Sequence, residues 1–260
     1  MTAQTETAID GLLGPDDPAP VEIVNGDSDH PVLLVCEHAG QAVPAALGDL
    51  GLPAGEIDRH IGWDIGAEGV TRRMAAILGC PCVIQRYSRL VIDCNRPPEA
   101  PDSMPEVSDG TAVPANRGLA DRDRMVRVRA IFEPFQRAVS DGLDHPSRRA
   151  TFAIHSFTPR MNGVARPWDI GFLYRKDERT SAALADLTRS ARPDLTIGMN
   201  QPYDVDDLSD WFVPRQAEPR GIPHSLIEIR NDHIDTAAGQ DRWAALLAGI
   251  LGRWLQGDLT

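Results

Sequence analysis

In Val32-Leu33-Leu34-Val35-Cys36-Glu37-His38-Ala39-Gly40, an unbroken apolar run stops abruptly at an acid, an imidazole and a small pair that lets the chain turn. A continuous apolar run of this length suits a strand buried on both faces, the signature of a parallel sheet covered by helices. Residues 41–58 are rich in Gly and Pro and read as loop. From 64 to 79 apolar residues recur at helical spacing (Ile65, Val70, Met74, Ile77, Leu78) and Gly79 supplies a stop. Residues 82–84 and 90–92 read as strands, and Pro97-Pro98 opens a long irregular stretch up to Arg117. A helical pattern over 119–143 is expected to bend at Pro134, where the ring removes a backbone donor. Beyond it, 151–154, 170–174, 195–199 and 225–229 read as strands, 181–190 as a helix, and 242–255 as a terminal amphipathic helix. This alternation predicts a single α/β layer fold with a largely parallel or mixed sheet. Residues 1–25 are expected to be a poorly ordered lead-in, and 26–260 one domain.

The composition fits an ordinary globular protein, with 42% hydrophobic and 25% charged residues. Lys and Arg number 26 against 38 Asp and Glu, a formal net charge of −12. That balance argues against nucleic acid or an anionic membrane as partner, because both require a basic face. Lys176 is the sole lysine, so almost every cation is an arginine. No apolar run approaches the roughly 20 residues of a spanning helix. The first 20 residues have no basic stretch ahead of an apolar one, so a cytoplasmic location is expected. Cys36, Cys80, Cys82 and Cys94 do not have zinc-ribbon spacing and read as buried free thiols.

Ligands of open α/β sheets sit beyond the carboxyl ends of the strands. The polar residues just past the expected strands are Glu37 and His38, residues 89–96, His155 and Ser156, and Glu228 and Arg230. His38 and His155 each follow an apolar run and could meet in one crevice. Two imidazoles and a carboxylate make the three-ligand set of a catalytic zinc, whereas each histidine alone would be an ordinary hydrogen-bonded strand end. Asp64 is the first candidate for the third ligand, with a helix N-cap as its competing role. Glu37 is the alternative if the chain turns at Ala39-Gly40. His60, Asp64 and Glu68 are spaced four apart and would share one face of a helix; His224 and His233 are further histidines that could join. Arg89, Asn95 and Arg96, with Asp93 between them, could grip a small carboxylate or form an internal Arg–Asp bridge. Glu228 lies inside an apolar strand, where burial would raise its pKa towards that of a general base and acid; Arg230 is its possible ion-pair partner. Gly-x-Ser-x-Gly elbows, glycine-rich phosphate loops and His-Glu-x-x-His are absent. Ser156 as a nucleophile is disfavoured because neighbours on a strand seldom cooperate.

Cys36-Glu37-His38-Ala39-Gly40 with Pro44, Trp63-Asp64, Tyr87-Ser88-Arg89, Asp93-Cys94-Asn95-Arg96-Pro97, His155-Ser156 and Leu226-Ile227-Glu228-Ile229 follow one another in an order that resembles the N-formylglutamate amidohydrolase family, over about residues 30–255. The resemblance implies an α/β/α sandwich around a mixed, largely parallel sheet, similar to zinc-dependent exopeptidases. It implies a metal-dependent hydrolase, with Zn²⁺ foremost, that splits N-formyl-L-glutamate into formate and glutamate at the end of a histidine-degradation route. Carried over, His38, His155 and Asp64 (or Glu37) would hold the metal, Glu228 would be the catalytic carboxylate, and Arg89, Asn95 and Arg96 would hold the substrate. Glu37 stands where histidine-degrading members more often have Pro, and Gly62-Trp63-Asp64 where they carry Asp-x-Asp-Trp, which points to a divergent branch. The alternatives are an amidohydrolase of another small N-acyl amino acid and a non-catalytic carboxylate-binding module.

Overall fold

The structure, a computed structural model, describes residues 11–258. Seven strands form the central sheet: β1 (Val21–Val24), β2 (Val32–Cys36), β3 (Cys82–Gln85), β6 (Ala150–Phe157), β9 (Ile170–Leu173), β10 (Ile197–Met199) and β11 (His224–Arg230). Two small hairpins lie outside it, β4 (Val107–Ser108) with β5 (Thr111–Ala112) and β7 (Arg160–Met161) with β8 (Val164–Ala165). The sheet order is β1-β3-β2-β6-β11-β9-β10. β3, β2, β6 and β11 run parallel, while β1 and β9 join antiparallel to β3 and β11. Every residue of β2 and β6 is buried, as expected of parallel strands covered on both faces.

Helices α1 (Ala67–Leu78), α4 (Glu178–Ala191) and α5 (Ala237–Asp258) cover one face. They pack on Val32, Leu34, Cys36, Phe152, Ile154, Ile227 and Ile229. The opposite face carries Leu33, Val35, Ala153 and Leu226, and is covered by α2 (Asp121–Arg127), α3 (Glu133–Leu143) and a π-helix at Phe212–Ala217. The result is the three-layer sandwich expected. Between α2 and α3 the helix widens into a π-turn at Val128–Phe132, directly ahead of Pro134. The proline bend read from sequence is relieved there, since a wider turn accommodates the missing donor and the bulky ring.

Three expectations are corrected. Residues 21–24 belong to the sheet as β1, so they are not part of a lead-in; residues 1–10 lie outside the described residues. Residues 90–92 form a buried turn rather than a strand: the Val91 N–H donates to the Ser88 carbonyl, and β1 occupies the sheet edge a strand there would need. Ile77, read as part of the apolar face of α1, points outward, and the buried stripe is Ala67, Val70, Thr71, Met74 and Ala75. The four cysteines are buried free thiols, as expected. No helix of the described residues is long and apolar enough to cross a membrane.

Gly40, two residues after His38, passes so close to the end of β3 that a Cβ there would overlap the Arg86 carbonyl. Gly40→Ala is therefore expected to lower stability by about 1–3 kcal/mol or more, the cost of overpacking. Urea unfolding measures this, and an unchanged midpoint would contradict the close approach.

Candidate active site

Side chains alternate across a strand, so Val35 and Ala153 predict which face receives Glu37 and His155. Leu226 does the same for Glu228. All three point to the α3 side, near the carboxyl ends of three adjacent parallel strands, with His155 and Glu228 in register. The turn beyond β2 delivers His38, and its carbonyl accepts from the Asp64 N–H (2.9 Å) just ahead of α1. The loop after β3 adds Arg89 and Asp93. His38, Asp64, Arg89, Asp93, His155 and Glu228 form the floor of a cleft of about 400 Å³, walled by the two hairpins and the 203–210 loop.

Asp64 is the hub. Its Oδ2 lies 2.9 Å from His155 Nδ1 and 3.4 Å from His38 Nδ1, and accepts from the Ser156 N–H at 3.2 Å. Its Oδ1 accepts from Arg89 Nη1 (3.1 Å). Asp64 therefore does not cap α1, whose N-cap is Gly66 without a side-chain bond. The two imidazoles stand edge to face, 4.8 Å between centroids. Each turns its other nitrogen to a second carboxylate: His38 Nε2 lies 2.6 Å from Asp93 Oδ1, and His155 Nε2 lies 3.0 Å from Glu37 Oε2. The Glu37 contact is close but misaligned for a hydrogen bond, which leaves both its oxygens without one. Because Nδ1 and Nε2 point to opposite sides of a ring, Glu37 is separated from the His–Asp–His cluster. The ligand atoms that converge are those of His38, Asp64 and His155, the first of the two expected sets, and Glu37 is not among them.

A carboxylate can only accept, so His38 Nε2 must carry the proton it shares with Asp93. The Nδ1 of a neutral ring is then a lone pair facing Asp64 Oδ2, and this buried atom has no hydrogen-bond partner. A second proton or a cation relieves that opposition. Burial and the Arg89 charge press against protonation of His38, yet Asp93 and Asp64 hold its pKa above the usual imidazole range. Burial opposes protonation of His155 too, and Glu37 and Asp64 outweigh it, holding its pKa well up. Asp64 is kept far below the ordinary carboxylate range, since the two imidazoles overcome its burial. Glu37, Asp64, Asp93, Asp210 and Glu228 are all buried around this point. Buried charge in such excess is paired or coordinates metal. His38, Asp64 and His155 offer ligand atoms within 4.8 Å of one another and could hold a metal ion.

Glu228 lines the cleft with only 6% exposure, and its Oε2 has no partner. Burial pushes its pKa up to about 7. Arg230 does not pair with it and is occupied by Asp169, Asp232 and His233. Of the expected substrate-holding residues, Arg89 is bound to Asp64 and Asp93 (2.8 Å to Asp93 Oδ2). Asn95 donates to Asp210 (3.0 Å) and accepts from the Trp211 and Phe212 N–H groups, while Arg96 is bound to Asp102 (2.9 Å) and the Ser209 carbonyl. All three line the cleft, but their hydrogen bonds are made within the protein. Glu68 pairs with Arg72 and Arg86, and His60 lines the cleft apart from the cluster, because the helix starts only at Ala67. His224 binds the Ile222 carbonyl and His233 binds Asp169, so neither joins. The Ser156 hydroxyl donates to the Ile65 carbonyl. Asp93 as the partner of His38, and Asp210, whose pKa burial raises to about 7, were missed; no periodicity or spacing marks either.

A carboxylate and two histidines thus meet beside a buried glutamate whose Oε2 has no partner, near the carboxyl ends of parallel strands. The model of the N-formylglutamate amidohydrolase family matches residues 30–234, and the chain belongs to that family, whose members act on amide C–N bonds. Gene product Atu2144 from Agrobacterium tumefaciens is a similar solved structure at 35% identity, with 96% of this chain and 100% of that chain covered and a TM-score of 0.90. The N-formylglutamate amidohydrolase from Ralstonia eutropha JMP134 shares the fold at 15% identity, with 92% and 98% covered and a TM-score of 0.63. No curated protein matches the sequence.

Outer partners that orient a ligating histidine typically command about 10–100-fold in metal affinity. If the His38–Asp64–His155 cluster holds a metal ion, Glu37→Gln is expected to weaken its binding by about that factor while leaving Glu228 untouched. Competition with a chromophoric chelator measures it, and unchanged affinity would show that Glu37 does not orient His155.

Proposed function

We propose that the chain is a metal-dependent amidohydrolase of small N-acyl amino acids, with N-formyl-L-glutamate, cleaved to formate and L-glutamate, as the first candidate. The observation that carries this reading is the convergence of His38 Nδ1, Asp64 Oδ2 and His155 Nδ1 beside an unpaired, buried Glu228. His38, Asp64 and His155 would hold the ion, and the donor set of two imidazoles and one carboxylate suits Zn²⁺. A zinc ion so held supplies Lewis acidity, which polarises a carbonyl and acidifies water.

The chain's own residues do the rest. Glu228 takes a proton from the attacking water, and its raised pKa keeps that proton available. It then returns the proton to the leaving amine, so one carboxyl serves as base and acid. Asp93 and Glu37 fix the two rings, and Arg89 ties Asp64 to Asp93, so the cluster is set before substrate arrives. A role in histidine degradation, which would supply this substrate, would put the protein in the cytoplasm.

The test is release of free amine from N-formyl-L-glutamate and from N-formyl, N-acetyl and N-succinyl derivatives of other amino acids by zinc-loaded protein. Turnover of at least one, lost on chelation and restored by zinc, supports the reading. Zinc-loaded protein that binds these compounds but cleaves none would contradict it and favour a binding module.

A further inference from the structure

The cleft is acidic, with Asp102, Asp109, Asp204, Asp210 and Glu228 on its wall. An anionic substrate needs a cation there that is not already neutralised. Arg89 and Arg96 line the wall but are ion-paired. Arg166 differs. It follows the β7–β8 hairpin, anchored by its N–H to the Pro159 carbonyl (2.9 Å). Its Nη1 donates to Tyr203 Oη (3.0 Å) and Thr158 Oγ1 (3.4 Å). Both bonds leave from Nη1, so the Nε–Nη2 edge, the fork that takes a carboxylate side-on, has no partner among the described residues. No carboxylate of the described residues stands within ion-pair distance.

The group is also held in place. Its Cζ lies 4.9 Å over the Tyr203 ring and 6.0 Å from the Phe157 ring centroid. Phe157 is two residues past His155 on the same face of β6, and Tyr203 lines the cleft. The charges of Glu228, Arg166 and Arg89 all act on the Tyr203 hydroxyl, which puts the guanidinium within electrostatic reach of the cleft.

We propose that Arg166, braced by Tyr203, receives the carboxylate of the amino-acid half of the substrate and so sets the preference for N-acyl amino acids over neutral amides. This rests on the amidohydrolase reading above. The role is one of binding: the fork orients the leaving half while Glu228 handles the proton. Lysine is a poor replacement, because a point charge lacks the planar fork.

The experiment compares wild type, Arg166→Gln and Arg166→Lys, all zinc-loaded, on N-formyl-L-glutamate and on its diamide. Loss of a charge-assisted pair is expected to raise KM for the acid by about ten- to hundredfold in Arg166→Gln, with kcat within about threefold and the diamide unaffected. Arg166→Lys should recover only part of the loss. Equal effects on acid and diamide, or none on either, would overturn the proposal. Calorimetric titration with glutarate gives a readout independent of turnover: a Kd about tenfold or more weaker in Arg166→Gln supports the assignment, and equal Kd values refute it. Absence of turnover in wild type, with the Kd difference intact, would sink the amidohydrolase reading and leave the Arg166 assignment standing. Matched thermal unfolding curves show that the variants are folded.

Discussion

Glu228→Gln, loaded with zinc, turns over its substrate at least about a hundredfold more slowly than wild type, the lower end for a lost acid–base group. Glutamine keeps the shape of the side chain and its place in β11 but cannot take or return a proton. The expectation rests on three features together: Glu228 is buried, its Oε2 is unpartnered, and Arg230 is engaged elsewhere. A glutamate tied into a salt bridge would be pinned in its ionised form, whereas this one is raised by burial and free to exchange its proton. Metal content and the KM of the substrate should be unchanged, because neither depends on the proton. The base must be ionised to act, so the wild-type rate falls as pH drops through its pKa; this acid limb should vanish in the variant. Near-normal turnover would show that another group moves the proton.

The second large effect belongs to the histidines. His155→Ala and His38→Ala should each abolish stoichiometric zinc binding and lower turnover by at least about a thousandfold, since the ion supplies several kcal/mol of transition-state stabilisation. Their consequences should differ from those of Glu37→Gln, which removes an orienting contact and keeps all three donors. Full zinc content in either alanine variant, measured by elemental analysis, would mean that the ion sits elsewhere. Each substitution also leaves Asp64 facing one imidazole instead of two. Unfolding curves of the metal-free variants therefore accompany the assay and separate loss of ligand from loss of fold.

Much of this arrangement was legible in the sequence, and the reasons are specific. The β2, β6 and β11 runs are apolar throughout because helices cover both faces, so they announced themselves and the polar residues at their ends. The pairing of His38 with His155 followed from that position. The residues from Arg89 to Arg96 were misread because a short apolar run in a buried turn looks like a strand, and only the full sheet shows that its edge is taken by β1. A strand there would put Arg89, Asp93 and Asn95 on one face, whereas the turn sends Asp93 to His38 and Asn95 to the 210–212 segment. The two hairpins that wall the cleft carry a signal of their own in the sequence. Asp109-Gly110 and Asn162-Gly163 both take positive φ at each residue, as in the tight turns of two-residue hairpins. Arg166 had no sequence signal, because what marks it is the absence of a partner, and partners are a property of the folded chain.

The most direct measurement is anomalous scattering at the zinc absorption edge from a crystal of the zinc-loaded protein. The account predicts one peak per chain, bonded to Nδ1 of His38, Nδ1 of His155 and a carboxylate oxygen of Asp64, with Glu37 and Asp93 behind the rings and out of contact with the ion. A peak bonded through Nε2 or to Glu37, or no peak at the cluster, would contradict it.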